Sequence, residues 1–194
     1  MEILSVKNIT KSFGENKIIE DISLTLKKGE LVSLLGVSGA GKTTLFNCIS
    51  GIEKADSGRI ILQGKDISAI PGQISYMLQK DLLLPYKKIV DNVALPLLLS
   101  GKKKTEAREI ALSHFAEFGI EGTENYYPSQ LSGGMRQRAA LLRTYLASKG
   151  VALLDEPFSA LDTITKGAMH SWYLSVMEKI DLSTIFITHD IDEA

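Results

Sequence analysis

Apolar and polar residues alternate along "EILSVKNI" at 2–9 and "IIEDISLTL" at 18–26. That is the pattern of strands with one face in a core and the other in water. "KKGE" at 27–30 reads as a turn, and "LVSLL" at 31–35 is a nearly continuous apolar run, which predicts a fully buried strand. "TTLFNCIS" at 43–50 shifts to helical spacing and ends at Gly51, a plausible C-cap. "SGRIILQGKDI" at 57–67 reads as turn, strand, turn, and "QISYML" at 73–78 as a further strand. From about Asp91 to Ser148 the periodicity is mostly helical, including "TEAREIALSHFAEFG", where Thr105 is placed to cap the start. "VALLDEP" restores a buried strand. Met169, Trp172, Tyr173 and Val176 line one face of an amphipathic helix, and "STIFITHD" is a last buried strand. The pattern predicts an α/β core interrupted by a helical insertion, with a small β layer near the N-terminus.

Composition narrows the classes. The chain has 194 residues, 44% of them hydrophobic, enough for one globular domain with a real core. A formal net charge of -1 argues against a nucleic-acid binder, which would carry a basic excess or stripe. The one basic cluster, Lys102-Lys103-Lys104, reads as a solvated turn before a helix. Cys48 is the single cysteine, so no internal disulfide can form; it reads as a small core residue in a reducing compartment. The most apolar stretch, "VALPLLLS" from Val93, is interrupted by Pro96 and is far shorter than the roughly 18 residues of a membrane span. "MEILSVKNIT" has none of the features of a signal peptide.

Chemistry concentrates at three places. Gly36-Val37-Ser38-Gly39-Ala40-Gly41-Lys42-Thr43 matches G-x-x-x-x-G-K-[ST] in full, between a predicted buried strand and a helix. Its glycines let backbone N–H groups turn in around phosphate oxygens, the helix start adds partial positive charge, Lys42 can reach β- and γ-phosphates, and the Thr43 hydroxyl can ligate Mg2+. Second, Asp155 and Glu156 end the apolar run Val151 to Leu154. Consecutive strand side chains point opposite ways, so the two acids have different work: Asp155 suits Mg2+, and Glu156 suits polarising an attacking water. Third, His189 follows the apolar "TIFIT", and the C-terminal ends of such strands gather at one sheet edge. His114 and His170 fall in predicted amphipathic helices as surface or packing residues. "QLSGGMRQR" at 130–138 adds a second turn opening onto a helix, which raises the question of why one chain carries two phosphate-grade helix starts.

Together these motifs make the chain resemble the nucleotide-binding subunit of an ATP-binding cassette (ABC) transporter, over its whole length. "GVSGAGKT" resembles the Walker A motif, with Thr44 the next residue of the loop's phosphate-binding set, and "VALLDE" resembles Walker B. "LSGGMRQR" resembles the family's signature, with Met135 where many relatives have glutamine. "SALD", ending at Asp162, resembles the D-loop, Gln79 the Q-loop, and His189 the switch histidine. Phe13 in "KSFG" falls where the family stacks an aromatic on adenine.

The resemblance implies a P-loop NTPase (RecA-like) α/β core with an antiparallel β subdomain and an inserted helical subdomain. The expected division of 1–194 is a core and β subdomain over 1–80 and 149–194, and a helical subdomain over 81–148. It implies ATP and Mg2+ as ligands, with Mg2+ at Thr43, Gln79 and Asp155, and Glu156, His189 and Gln79 as the catalytic set, Gln79 sensing the attacking water as well as the metal. Two cassettes would pair head to tail, Ser132, Gly133 and Gly134 of one copy facing the γ-phosphate held by the other. Permease subunits would be membrane partners, a solute-binding protein an indirect one, and the location the cytoplasmic face of the membrane.

"MLQKDLLLPYKKIVDNVALPLLL" and "FITHDIDEA" resemble bacterial importers of the nitrate, sulfonate, taurine and thiamine-precursor group. "NVALPLLLSG" also resembles cassettes of lipoprotein release or export. A DNA-acting ATPase of the superfamily would carry a long coiled-coil insertion between Walker A and the signature, where this chain has a compact one. The chain stops at Ala194, where relatives continue, so a C-terminally truncated cassette is expected, with its last strand left as an exposed edge.

Overall fold

A computed structural model describes residues 1–157, 167, 171–176, 180 and 182–189. Contacts divide the chain into two compact units, 1–76 with 148–156 and 181–194, and 77–147 with 157–180.

The first unit opens on a long hairpin, β1 (Glu2–Phe13) and β2 (Asn16–Lys27), paired antiparallel. Its alternation slips at Lys7-Asn8, both exposed, where a register shift lies between Val6 and Ile9. Asn8 takes φ 52°, and its amide donates to Asp21 Oδ1 at 2.6 Å, the local price of a β-bulge. β4 (Ser57–Leu62) pairs with the other edge of β1, and the short β5 (Lys65–Asp66) completes the sheet, in the order β2-β1-β4-β5. Gly58 lets β4 pass the bulge: at φ +98° a Cβ there would lie 2.5 Å from the carbonyl oxygens of both Lys7 and Asn8.

A second sheet runs β3 (Leu31–Leu35), β8 (Ser183–Thr188), β7 (Val151–Asp155), β6 (Ser75–Met77). β7 and β8 pair parallel and are buried along their whole lengths, as the apolar runs Val151–Leu154 and Ile185–Ile187 within them predict. Two expectations change here. β8 is paired on both sides, with β3 and with β7, so the last strand is not an edge. β3 holds the rim instead, and is half-buried with Leu35 exposed rather than fully buried, because the described residues pair it on one side only. Helix α1 (Lys42–Ser50) follows, ending at Gly51 with φ 78° and its N–H on Cys48 O. It places Leu45, Phe46, Cys48 and Ile49 in one core with Leu4, Ile9 and Leu26 of the hairpin and Leu153, Ile185 and Ile187 of the parallel sheet. Cys48 is a fully buried free thiol in that core.

The second unit is helical: α2 (Ile89–Val93), α3 (Leu95–Leu99), α4 (Lys104–Ser113) and α5 (Gly133–Ala147). Helix α4 begins at Lys104 with no side-chain cap, so Thr105 lies inside its first turn rather than capping it. Its end at Ser113 leaves His114 packed edge-on against Tyr145 and 3.2 Å from Glu117. Arg108 holds Asp91 through two parallel bonds of 2.8 Å, which keeps that carboxyl below its usual range. Arg136 and Arg143 of α5 hold the segment at 81–82, Arg136 on the Asp81 carboxylate and Arg143 on the carbonyls of Asp81 and Leu82. In the same unit Tyr173 and Val176 are buried, as their helical spacing predicts, and the Arg138 guanidinium lies 4.6 Å over the Trp172 ring. Met169 and His170 fall outside the described residues. Among those residues no helix is long and apolar enough to cross a membrane.

Asn92 is fully buried and acts as a polar bolt. Its Oδ1 accepts from Leu84 N at 2.6 Å, and its Nδ2 donates to the carbonyls of Leu84 at 3.1 Å and Lys87 at 3.0 Å. Truncation would leave backbone groups of the 84–88 loop without these bonds inside protein. Asn92→Ala is therefore expected to cost about 3 kcal/mol in urea unfolding. A loss below about 0.5 kcal/mol would show that water replaces the amide without penalty.

Candidate functional site

The phosphate loop is shaped by its glycines. Gly39 and Gly41 take φ of +81° and +84°, in the left-handed region that side chains disfavour. A Cβ on Gly41 would also lie 2.7 Å from Ile19 Cγ2 and 2.9 Å from the Ile18 carbonyl. Gly36, Val37, Ser38, Gly39 and Ala40 form the loop after β3, and Lys42 is the first residue of α1, whose first turn carries no acid. Positive charge at that helix start is thus not offset from within the helix. Lys42 Nζ curls back to donate to the carbonyls of Gly36 at 2.6 Å and Val37 at 2.9 Å. An ammonium held by two weakly basic carbonyls at the loop mouth suits exchange onto phosphate oxygens. Thr44 is half-buried two residues after Lys42 in the helix.

One residue on from Lys42, Thr43 Oγ1 donates to Asp155 Oδ2 at 3.0 Å, joining the loop to the end of β7. Asp155 is only 5% exposed. Burial raises its carboxyl pKa and Glu156 adds to the rise, while bonds from Thr43 and Tyr76 and the charge of Lys42 oppose it. A hydroxyl and a buried carboxylate in contact, beside an ammonium, form an oxygen donor set fit for a hard cation that also binds phosphate. Tyr76 is a residue that the sequence does not single out. Its hydroxyl donates to the same Asp155 oxygen at 3.1 Å. Burial first, then Asp155, push its phenol well above the usual value, so it keeps its proton and donates. The one signal in the sequence is a polar-tipped aromatic in the short strand Ser75–Met77, which a core residue gives equally well.

Glu156 follows directly but turns out of the strand. It takes φ 46°, unusual for a non-glycine residue, with its N–H on Ile187 O at 3.0 Å. The parallel pairing of Asp155 with Ile187 brings His189 to the same sheet edge. There its Nδ1 lies 3.4 Å from Glu156 Oε1. The left-handed backbone takes Glu156 out of the regular strand alternation that Asp155 ends. Lys42, Thr43, Asp155, Glu156 and His189 all belong to the first unit.

Other predicted residues are distributed as follows. Phe13 ends β1 with 48% of its surface exposed, and Lys11 Nζ lies 5.0 Å over its ring. Gln79 is exposed just past β6, in the second unit. Ser132 is exposed and caps α5 by accepting from Met135 N at 3.3 Å, with Gly133 and Gly134 as the first helical residues. Asp162 lies outside the described residues.

A protein-family model described as "ABC transporter" matches residues 19–159. The chain is 46% identical over 194 residues to the formylaminopyrimidine import ATP-binding protein ThiZ of Halalkalibacterium halodurans, covering 100% of this chain and 76% of the relative. It is 41% identical over 192 residues to the taurine import ATP-binding protein TauB of Escherichia coli K12, covering 99% and 75%. Among solved structures, the dimeric MJ0796, a bacterial ABC transporter cassette, aligns with a TM-score of 0.84 at 29% identity over 99% of this chain and 90% of that one. The ADP conformation of the cassette MJ1267 aligns with a TM-score of 0.87 at 24% identity, over 100% and 83%, a likeness of fold.

Proposed function

We propose that this chain, which belongs to the ABC transporter family, is the ATP-binding and ATP-hydrolysing subunit of a bacterial importer. The observation that carries the reading is the Thr43–Asp155 bond, which joins a complete phosphate loop to an acidic strand end. Names of relatives support import: ThiZ is a formylaminopyrimidine import protein and TauB a taurine import protein. They favour that direction over lipoprotein release, export or work on DNA. The solute we infer is of the same kind, a small sulfonate- or nitrate-like anion or a thiamine precursor.

In this reading ATP is the substrate. Lys42 and the N–H groups of Gly36, Ser38, Gly39, Ala40, Gly41, Thr43 and Thr44 hold its phosphates, and Phe13 offers its open face to the adenine. Thr43 and Asp155, with Gln79, would hold Mg2+, which offsets phosphate charge when bound. Glu156 takes the proton of the attacking water, and His189 keeps the Glu156 carboxylate in place. Ser132, Gly133 and Gly134 serve the nucleotide of a second copy, alongside Asp162. Permease subunits anchor the pair at the cytoplasmic face of the membrane, and a solute-binding protein acts through them. Nucleic acid is no partner in this scheme.

Reconstitution with the permease and solute-binding protein tests the whole. Phosphate release should rise when loaded solute-binding protein is supplied, and solute should accumulate on the cassette side. Solute leaving that side instead would reverse the direction assigned here, and absence of phosphate release would end the ATPase reading.

A further inference from the structure

We infer that Tyr76 is a positioning residue for the Asp155 carboxylate, fixing the oxygen that faces the cation of the bound nucleotide. The inference rests on the ATPase reading above. Its basis is a closed circuit of contacts. Thr43 Oγ1 and Tyr76 Oη both donate to Asp155 Oδ2, at 3.0 Å and 3.1 Å. The Tyr76 ring is set in turn by Phe46, edge-on at 5.8 Å and 81°. Phe46 lies on α1 three residues after Thr43, so both sit on one helix face. Helix α1 therefore fixes Asp155 twice, once through the Thr43 hydroxyl and once through the edge-on Phe46–Tyr76 contact.

The two donors are not equivalent. Thr43 has two duties, because the oxygen that donates to Asp155 is also the one suited to the cation. Tyr76 has one, and its placement depends on Phe46 and β6 rather than on nucleotide. When Thr43 turns to a cation, Tyr76 remains to stop the carboxylate rotating about its terminal bond. A partner of this kind, one step out from a metal ligand, sets ligand direction and hence cation affinity.

The test uses Mn2+ as a paramagnetic probe and the non-hydrolysed nucleotide AMP-PNP. Tyr76→Phe keeps the ring and removes only the hydroxyl. In EDTA its AMP-PNP affinity should stay within about twofold of the parent, while with saturating AMP-PNP its Mn2+ affinity by electron paramagnetic resonance falls about tenfold. Phe46→Leu keeps the hydroxyl and loosens the ring, so it should show a smaller loss of the same kind. Unchanged Mn2+ affinity in Tyr76→Phe overturns the inference. A parallel fall in metal-free and metal-dependent binding overturns it too, since that is what a purely packing role produces. Failure of the parent chain to bind AMP-PNP at all would instead remove the nucleotide site, and this role with it.

Discussion

Glu156→Gln is expected to bind ATP as the parent does and to hydrolyse it at least about 100-fold more slowly, the range in which removing a positioned general base falls. Gln has the shape of Glu and leaves the left-handed backbone and the Ile187 bond as they are. It cannot accept a proton, and this is the property that the water-attack step uses. Binding should survive because the Lys42 and Thr43 contacts run to the loop carbonyls and Asp155, independently of Glu156. Glu156 is also among the charges that raise the Asp155 carboxyl. Neutralising it eases the Asp155 carboxyl back towards its ordinary range, while burial, the larger cause of the rise, stays. The measurement is single-turnover phosphate release in the assembled transporter, with nucleotide affinity determined in parallel. Hydrolysis at the parent rate would move the base to another residue.

His189 offers a graded companion to that result. Its Nδ1 lies 3.4 Å from Glu156 Oε1, and its proposed role in this scheme is to orient that carboxylate rather than to take the proton. The proposed separation of base from orienter would be carried by two adjacent strand ends, β7 and β8, which pair parallel with Asp155 opposite Ile187.

The conformations at the candidate site were legible in part because each arises from a local pattern with a local cause. The phosphate loop needs glycine where φ is positive, and Gly39 and Gly41 take that conformation. Asp155 and Glu156 end an apolar run, and the run became a strand buried at every residue. Two things were not legible. Tyr76 meets Asp155 only because β6 and β7 are neighbours in the sheet, 79 residues apart along the chain, and no short-range pattern reports a pairing of that length. The half-buried state of β3 escaped for a related reason: its composition states that it could be buried, whereas its place at the rim depends on sheet order. Thr105 illustrates a third limit. A good capping residue marks a helix start only where the backbone before it leaves the helix, and here Lys104 is already helical.

Ser132→Arg should leave nucleotide binding by the single chain unchanged and abolish its ATP-driven pairing. The two halves of the expectation have separate physical grounds. Lys42, Thr43 and Asp155 belong to the unit that includes 1–76 and 148–156, while Ser132 belongs to the helical unit. The cost of losing the cap on Met135 N is about 1 kcal/mol, too little to unfold that unit. Pairing is more exacting, because the scheme brings the start of α5 against the γ-phosphate of another copy. The first N–H groups of α5, at Gly133 and Gly134, have no side chain of their own in front of them. An arginine in place of the exposed Ser132 would stand in that approach. Ser132→Asn restores a capping acceptor without the bulk, so it separates loss of the cap from obstruction. All three proteins are compared in a Glu156→Gln background, which holds ATP unhydrolysed. Light scattering should show ATP-dependent doubling of mass with Ser132 intact and with Ser132→Asn, and none with Ser132→Arg. Equal doubling in all three would mean that the second phosphate-grade helix start serves its own chain or none, and the shared-site scheme would fall.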